Sequence, residues 1–435
     1  MSISSLHEAL TLIFPSLHNT PKRNSVNLGV SGHYKILCIS VFHVNKWTMS
    51  KNLISKENLE KRTHPRNEDI RGCYYRDQTA IIHSRPFRRL KHKTQVFFSP
   101  DDDHVCTRIE HVLHVASIAA TICRGLKSKK NSVWELNEDM AYSIGLGHDL
   151  GHTPFGHAGE SELSYLLGGG NSFIHEINSY RVVEKLIGQG AGLNLTYAVK
   201  DGIICHNGEN FERSIKPHQE IKNLEEIKDR KNLPSTYEGC IVRFSDKIAY
   251  LGRDIEDAII AGFIVEEDIP KAIRNQIGTS NGEIINYLII DLINNSTDDE
   301  ISFSQECHEL MLELKDFNYK AIYNHPRIQE YKRYCKRIIS TLFEYLTKLF
   351  CSNHWDYDWY LKEDNLDIDK FFGNYLKGMK DFYFKEKDQN NWSEGQLGKQ
   401  IVTDYISGMT DKFAIDCMKE ISIPMPIEFK PRRKK

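Results

Sequence analysis

The chain has 435 residues, which is enough for a large hydrophobic core and for two or three domains of ordinary size. Its 57 Lys and Arg residues nearly balance 59 Asp and Glu residues, and the net charge of -2 excludes a protein built mainly to coat nucleic acid. A hydrophobic content of 40% is ordinary for a globular protein and excludes general disorder or a membrane bundle.

The first 48 residues mix Ser, Asn and short apolar runs without sustained periodicity, whereas a polar, helix-favouring stretch follows Met49. We hypothesise that residues 1–48 are an extension outside the native protein and that the functional chain begins near Met49. An ordered helical cap is the alternative, and finding residues before Met49 by mass spectrometry of the native N-terminus would support it. The apolar run Tyr34–Val44 is too short to cross a membrane.

Cysteine usage favours a reducing compartment. Ten cysteines occur, and none forms a CxxC pair of the kind found in zinc knuckles and redox motifs. Because no secretory signal is recognisable, reduced cysteines and a cytoplasmic location are the simplest predictions.

Apolar periodicity predicts an all-α fold. Residues 104–126 carry two neighbouring apolar stripes at steps of three and four, which is typical of a helix with a broad buried face. Asn137 is a good N-cap for a second helix, and Ser172 is one for a third helix that runs to about Ile187.

The second half of the chain continues the helical pattern. Residues 207–235 are polar and highly charged, and we predict a surface loop or lid there. A long helix is predicted over residues 240–261, and helical patterns recur over residues 339–350 and 402–421. Strand signals are few and short.

Histidine is concentrated in one part of the chain, where it joins carboxylates on otherwise apolar helix faces. Nine of the 19 histidines fall between His83 and His175. A single histidine on a core face is more often a hydrogen-bonded structural residue than a ligand. A mixed nitrogen and oxygen set suits Zn, Mn, Fe, Ni, Co or, with retained waters, Mg. The candidate ligands are His111, His148, Asp149 and Asp246.

The glycine-rich segment 147–160 adds proton-handling groups to these ligands. It contains His152, and it places His157 three residues before Glu160. A carboxylate bonded to an imidazole raises the basicity of the ring and fixes its tautomer, as a general acid or base requires. The glycines also provide the bend that two adjacent ligands need to reach one ion.

Two further segments are candidates for substrate contacts. Asp246, Tyr250, Asp254 and Asp257 recur at helical spacing, which suits a sugar or base beside a phosphate, although a solvated face is plausible for Asp257. The segment Arg85–Phe97 packs five cations around apolar anchors and suits phosphates or nucleic acid; a solvated charge run is the equal alternative.

These motifs, in this order over roughly residues 60–415, resemble the dGTP triphosphohydrolases of the HD superfamily. The matching segments are Arg76-Asp77, Arg88–Val96, Thr107–His111, His148–Glu160, Gly192–Thr196, Gly202–His206, Asp246–Asp254 and Asp404–Asp411. The resemblance implies an HD-domain helical core over residues 49–265. It also implies a helical C-terminal extension over residues 266–435 that completes the nucleotide pocket.

The resemblance also implies roles for individual residues. A divalent ion, whose identity among Mn, Mg, Fe, Co, Ni and Zn stays open, would be held by His111, His148, Asp149 and Asp246. The implied catalytic groups are His152, His157, Glu160 and His175. The implied substrate-binding residues are Gln95, Arg108, Lys247, Tyr250, Asp254, Lys315 and Tyr323. Lys315 replaces an Arg of the animal members, and Tyr323 would exclude a 2′-hydroxyl.

The implied reaction is hydrolysis of dGTP or another dNTP, by water attack at the α-phosphorus, to deoxynucleoside and inorganic triphosphate. The absence of a Gly-x-x-x-x-Gly-Lys-[Ser/Thr] motif disfavours a P-loop NTPase. Alternatives are another HD phosphohydrolase, such as a nucleoside monophosphatase or cyclic-nucleotide phosphodiesterase, or a dNTP-sensing or nucleic-acid-binding oligomer with weak turnover. The resemblance further implies a homo-oligomer, a tetramer or hexamer, that binds an allosteric nucleotide at its subunit interfaces. Neutral overall charge disfavours nucleic acid as a partner, and the preferred dNTP stays open.

Overall fold

The structure is a computed structural model that describes residues 53–97, 105–208 and 210–424. The hypothesis about residues 1–48 and the interpretation of Tyr34–Val44 lie outside the described residues. In the described ranges, no helix combines the length and apolar character needed to cross a membrane.

The described part of the chain is built almost entirely of helices, which confirms the all-α prediction. The first nine are α1 (Lys56–Glu60), α2 (Cys73–Ile82), α3 (Arg85–Arg89), α4 (Arg108–Lys127), α5 (Glu138–Gly147), α6 (His157–Leu166), α7 (His175–Arg181), α8 (Tyr197–Ile204) and α9 (Tyr237–Ile260). The rest are α10 (Lys271–Gln276), α11 (Asn281–Asn295), α12 (Gln305–Asn318), α13 (Pro326–Asn353), α14 (Tyr357–Tyr360), α15 (Asp367–Asn390), α16 (Glu394–Ser407) and α17 (Asp411–Ser422).

Short elements connect these helices. Two-residue strands β1 (Ser214–Ile215) and β2 (Ile301–Ser302) pair antiparallel. Turns of 3₁₀-helix occupy Leu90–His92, Leu224–Glu226 and Glu266–Asp268, and π-helical turns occupy Val182–Leu186 and Tyr319–Tyr323.

Local capping explains where the helices near the site begin. The Glu110 carboxylate accepts hydrogen bonds from the backbone N–H and the hydroxyl of Thr107, so α4 begins at Arg108. The Asn137 side chain accepts from the Met140 N–H at 3.0 Å, which confirms it as the N-cap of α5.

The third predicted helix begins and ends differently from the prediction. Its N-cap is Ile174 rather than Ser172, whose hydroxyl donates to the Gly169 carbonyl. A carboxylate from another helix takes the capping role, because Glu160 accepts from the His175 N–H at 3.1 Å. The helix ends at Arg181 and passes into the π-helical turn.

The helical pattern over residues 402–421 is divided between two helices. α16 ends at Ser407, and Thr410 caps α17 by accepting from the Phe413 N–H at 3.3 Å. The predicted long helix starts earlier than expected, at Tyr237, because the Thr236 hydroxyl accepts from the Gly239 N–H at 3.1 Å.

The main hydrophobic core surrounds a bundle of α4, α5 and α9, which pack directly on one another. Fully buried residues such as Val112, Ile144 and Phe244 fill the space between them. α2, α8 and α11 pack around this centre. The bundle therefore fixes the backbone positions from which the candidate ligands project.

A second hydrophobic cluster lies among α13, α15, α16 and α17 and includes Phe155 and Leu163 from the first half of the chain. The buried residues of the first cluster end at Ile328, whereas the second cluster consists of residues from Cys335 onward together with Phe155, Ala158, Leu163 and Phe173. The domain boundary near residue 265 stays a prediction.

Candidate active site

A cavity of about 350 Å³ lies where α4, α9 and the segment 149–158 meet residues from α12 and α13. Twelve of the fifteen predicted site residues line it. They are Gln95, Arg108, His111, Asp149, His152, His157, His175, Asp246, Tyr250, Asp254, Lys315 and Tyr323. The other three do not line the cavity but contact residues that do: His148 contacts Asp246, Glu160 contacts His157, and Lys247 contacts Phe211.

Four candidate metal ligands converge at one end of this cavity. His111 projects from α4, His148 and Asp149 follow the end of α5, and Asp246 projects from α9. Nε2 of His111 lies 3.0 Å from Oδ1 of Asp246. Nε2 of His148 lies 3.6 Å from Oδ1 of Asp149 and 3.8 Å from Oδ1 of Asp246. The donor atoms of His111, His148 and Asp246 lie within 4.8 Å of one another, and Oδ2 of Asp149 lies 3.9 Å from Nε2 of His111.

The His148 ring is oriented as a metal ligand requires. Its Nδ1 lies 2.7 Å from the Gly145 carbonyl, so Nδ1 carries the proton and donates it. Nε2 is buried and has no hydrogen-bond partner among the described residues. Burial lowers the pKa of His148, which keeps the ring neutral. A buried, unpaired lone pair beside two carboxylates fits a divalent ion.

Both carboxylates of the cluster stay ionised. Burial opposes this, but His148 and Arg108 together hold the pKa of Asp149 well below its usual range. Burial likewise opposes ionisation of Asp246, and the hydrogen bond from His111 lowers its pKa below the usual range. Ionised carboxylates and imidazole nitrogens form the donor set that a divalent cation needs.

The backbone passes unusually close to the Asp246 carboxylate at Gly208. A Cβ atom at this position would lie 2.0 Å from Oδ2 of Asp246, so any other residue would push the carboxylate or the loop away. The predicted loop 207–235 therefore begins in direct contact with the ligand cluster.

The predicted proton-handling groups form a second cluster next to the first. Oε2 of Glu160 lies 3.0 Å from Nδ1 of His157 and 3.0 Å from Nδ1 of His175. The His152 ring stacks on the His175 ring with centroids 4.0 Å apart. Burial and the positive charge of Arg108 hold the pKa of His152 well below its usual range, so this ring is neutral.

His175 carries a positive charge within this cluster. Burial opposes protonation, but the carboxylates of Glu160 and Glu176 outweigh it and raise the pKa of His175 to about 10. Oε2 of Glu176 lies 3.3 Å from Nδ1 of the same ring. One neutral and one charged imidazole therefore lie face to face beside the cavity.

Three contributors to this region were not assigned by sequence reasoning. Arg230 bridges two carboxylates, with Nη2 at 2.9 Å from Oε1 of Glu160 and Nε at 2.7 Å from Oε1 of Glu176. The buried His206 ring lies 4.8 Å, centroid to centroid, from the ring of His148. His206 lies in a segment that matched the family motif, whereas no spacing pattern connects Arg230 or Glu176 to the site.

Another part of the cavity wall is a tyrosine paired with an aspartate. The Tyr323 hydroxyl donates to Asp254, and burial raises the pKa of Asp254 to about 7. Tyr250 lies one turn before Asp254 on α9, and Oε1 of the lining Gln95 is buried without a partner among the described residues. This wall offers hydroxyl, carboxyl and amide groups to a polyhydroxyl ligand.

The predicted cations differ in how they reach the cavity. The ammonium of Lys315 lies 4.4 Å above the centroid of the Phe211 ring, at the cavity wall. The Lys247 side chain is fully buried, 3.6 Å from Oε2 of Glu212, and burial lowers its pKa to about 8. Arg108 contacts Asp149 directly. Lys332 also lines the cavity and was not predicted.

Comparison with known proteins agrees with this geometry. Residues 108–251 match the HD domain, and residues 301–390 and 368–420 match the phosphohydrolase-associated domain. The chain is 39% identical, over 85% of its length and 91% of the relative, to a deoxyguanosinetriphosphate triphosphohydrolase-like protein of Caldanaerobacter subterraneus subsp. tengcongensis. Proteins of the same description from Desulfatibacillum aliphaticivorans and Clostridium tetani are 35% and 34% identical, over 82% and 86% of this chain and 90% of each relative.

Proposed function

We propose, because this chain belongs to the deoxyguanosinetriphosphate triphosphohydrolase-like family of metal-dependent HD phosphohydrolases, that it hydrolyses a dNTP to deoxynucleoside and inorganic triphosphate. One observation carries the proposal: a single cavity joins a metal-ligand cluster, paired imidazoles and a tyrosine–carboxyl wall. The ligand cluster would contact a phosphate, the paired imidazoles would contact a leaving oxygen, and the tyrosine–carboxyl wall would contact a sugar. The reaction would be water attack at the α-phosphorus.

The ligand cluster would hold the ion that this family requires. His111, His148, Asp149 and Asp246 supply two nitrogens and two carboxylates, and the donor set leaves the metal's identity open among Mn, Mg, Fe, Co, Ni and Zn. A divalent ion bound there polarises a phosphoryl oxygen and lowers the pKa of water.

His157 is the proposed proton donor to the departing 5′-oxygen. The Glu160 carboxylate accepts a hydrogen bond from Nδ1 of His157, which leaves Nε2 of the same ring to exchange a proton with substrate or water. The charged His175 would stabilise negative charge near the α-phosphate, and the neutral His152 would order the attacking water. Glu160 would fix the orientation of the His157 and His175 rings through its hydrogen bonds to both.

Cations and the tyrosine wall would position the rest of the substrate. Lys315 and Arg108 would neutralise the phosphates, and Lys247 would contribute from its buried position. Tyr250 and Gln95 would contact the deoxyribose. The paired Tyr323 and Asp254 would meet the 3′-hydroxyl, and the Tyr323 ring would leave no room for a 2′-hydroxyl.

Product identification tests the proposal. Purified full-length protein is incubated with Mn²⁺ or Mg²⁺ and each dNTP, alone and in mixtures, and the products are separated by ion-exchange chromatography. We expect deoxynucleoside and triphosphate in equal amounts, with ribonucleotides poorly used. Release of only orthophosphate or pyrophosphate would show that the proposed reaction is wrong.

The assembly implied by the resemblance is part of the proposal. We expect a tetramer or hexamer by light scattering, and stimulation by a second nucleotide in the mixed-dNTP assays. A monomer with full activity on single dNTPs would contradict both expectations.

A further inference from the structure

We propose that His152, His157, Glu160 and His175 form a second metal site, which takes a transition-metal ion such as Zn²⁺ and inhibits the enzyme when filled. We call these four residues the imidazole cluster. Metal binding by the cluster does not depend on the proposed function, whereas the inhibition rests on it.

The cluster already has the spacing of ligands around one ion. Each of the four residues offers a nitrogen or carboxylate oxygen, and these atoms all lie within 4.8 Å of one another. Zn–N and Zn–O distances of about 2.0–2.2 Å separate tetrahedral ligand atoms by roughly 3.3 Å. The two 3.0 Å contacts of Glu160 with His157 and His175 are close to that value.

Hydrogen bonding orients the cluster, and a bound ion would replace the protons that Nδ1 of His157 and Nδ1 of His175 share with Oε2 of Glu160. Oε1 of Glu160 accepts from Arg230 at 2.9 Å and from the His175 N–H at 3.1 Å, so the carboxylate is held from one side. Its Oε2 faces the two imidazoles. Nδ1 of His152 is buried and has no hydrogen-bond partner among the described residues. An unpaired buried nitrogen gains a partner if the cluster binds an ion.

The donor atoms give the imidazole cluster a different metal preference from the first site. The candidate ligands of the first site are two imidazoles and two carboxylates, whereas the cluster has three imidazoles and one carboxylate. Imidazole-rich sites favour Zn²⁺ and Co²⁺ over Mg²⁺ and Mn²⁺. The first site, which has the larger share of carboxylates, should therefore retain Mn²⁺ better than the cluster does, and the first equivalent of added Zn²⁺ should enter the cluster.

His157 is the most exposed ligand of the cluster. The side chain of His157 is 63% exposed, whereas those of Glu160 and His175 are 9% and 5% exposed. An ion can therefore meet His157 first and then the buried ligands. An ion bound at Nδ1 of His157 would take the place of the proton that this nitrogen shares with Glu160. The ring could then no longer be doubly protonated, so it would be a poor proton donor to the leaving oxygen.

Metal counting tests the site directly. Mn²⁺-loaded full-length protein is titrated with Zn²⁺, passed through gel filtration, and analysed for both metals by mass spectrometry, with activity measured on the same samples. We expect one Zn²⁺ per chain to add while one Mn²⁺ stays, and activity to fall at least tenfold. Activity that falls only as Mn²⁺ is lost, or that persists with both ions bound, would overturn the inhibition.

Variants locate the added ion independently of activity. Co²⁺ binding is followed by visible absorption. We expect His157→Asn to lower the affinity for the second Co²⁺ ion per chain at least tenfold. Because His157 is largely exposed, this variant keeps its fold, and circular dichroism verifies that. His148→Ala should keep the cluster equivalent, and His64→Asn, at an exposed histidine outside both sites, should bind as the parent does. If His157→Asn binds the second Co²⁺ ion as tightly as the parent does, the proposed second metal site is wrong, whether or not any dNTP is hydrolysed.

Discussion

His148 illustrates how a single residue acquires its role from local geometry. The Gly145 carbonyl fixes the proton on Nδ1, and burial keeps the ring neutral, so Nε2 is left as a lone pair facing two carboxylates. The same ring in water would exchange tautomers freely. The fold therefore determines both the direction and the protonation of the ligand.

Replacing His148 with alanine removes one ligand from a buried site. We expect His148→Ala to lose bound metal and activity together, because the remaining ligands bind the ion less tightly. Metal content by mass spectrometry and dNTP turnover check this, and circular dichroism checks that helical content is retained. Full metal content in the variant would contradict the ligand assignment.

His157 is expected to matter for the chemical step and not for metal retention at the first site. General acid catalysis contributes about 10²- to 10⁴-fold, so His157→Ala should lower kcat by that factor with little change in KM. Its side chain is largely exposed, so the fold should be unaffected. His64→Ala is the matched control at an exposed position. A loss of Mn²⁺, or an unchanged kcat, would contradict the proton-transfer role.

Single residues were predictable where they broke a pattern. His111 and Asp246 stood out because they interrupt apolar helix faces, and the structure brings their side chains within 3.0 Å. Arg230 and Glu176 gave no such signal, because their contacts join segments distant in sequence. A charged residue in an apolar stripe is visible in the sequence, whereas its partner from a distant segment is not.

At the scale of elements, the loop 207–235 is the segment that completes the site. It begins at Gly208 against Asp246 and returns through Arg230 to Glu160 and Glu176. Gly208 and Arg230 therefore both contact residues of the candidate site. The sequence predicted a polar loop or lid here, but its anchoring points could not be derived from composition.

Removing the Arg230 side chain should loosen the Glu160 carboxylate without touching substrate. By analogy with residues that orient metal ligands, we expect Arg230→Ala to lower kcat about 10- to 100-fold and to shift the pH profile, with Arg230→Lys recovering part of the loss. Lys231→Ala is the matched control, since that side chain is 90% exposed. A pH profile and kcat identical to the parent would contradict the positioning role.

Helix existence was predicted better than helix ends. Apolar periodicity located α4 and α9, because each has a long buried stripe. Ser172 failed as an N-cap because a carboxylate from α6 supplies the acceptor to His175 instead. Such substitution of a local cap by a tertiary contact leaves no trace in the neighbouring sequence.

At the scale of the whole molecule, buried polar contacts connect the C-terminal helices to residues in the first half of the chain. Nη2 of Arg181 on α7 lies 2.6 Å from Oε2 of Glu386 on α15 and 2.7 Å from Oδ2 of Asp404 on α16. The carboxylate of Asp411 accepts from the N–H groups of Thr94 and Phe155. The sequence predicted a C-terminal extension that completes the pocket, and these contacts hold that extension against residues beside the cavity.

Breaking the Arg181 contacts should destabilise the protein more than any surface ion pair. Arg181→Ala leaves buried Asp404 without its cation and leaves Glu386 with only Lys185 at 3.3 Å, which costs about 3–5 kcal/mol. We expect a marked fall in Tm by calorimetry. Lys412→Ala, which removes an exposed pair with Asp416, should cost less than about 1 kcal/mol. Equal effects of the two variants would contradict the role of the buried network.

Isotope labelling tests the central claim, attack at the α-phosphorus, most directly. Hydrolysis of a dNTP is run in water enriched in ¹⁸O, and both products are analysed by mass spectrometry. Cleavage of the bond between the α-phosphorus and the 5′-oxygen predicts one ¹⁸O atom in inorganic triphosphate and none in the deoxynucleoside. Label in the deoxynucleoside, or in orthophosphate released from the γ-position, would contradict the account.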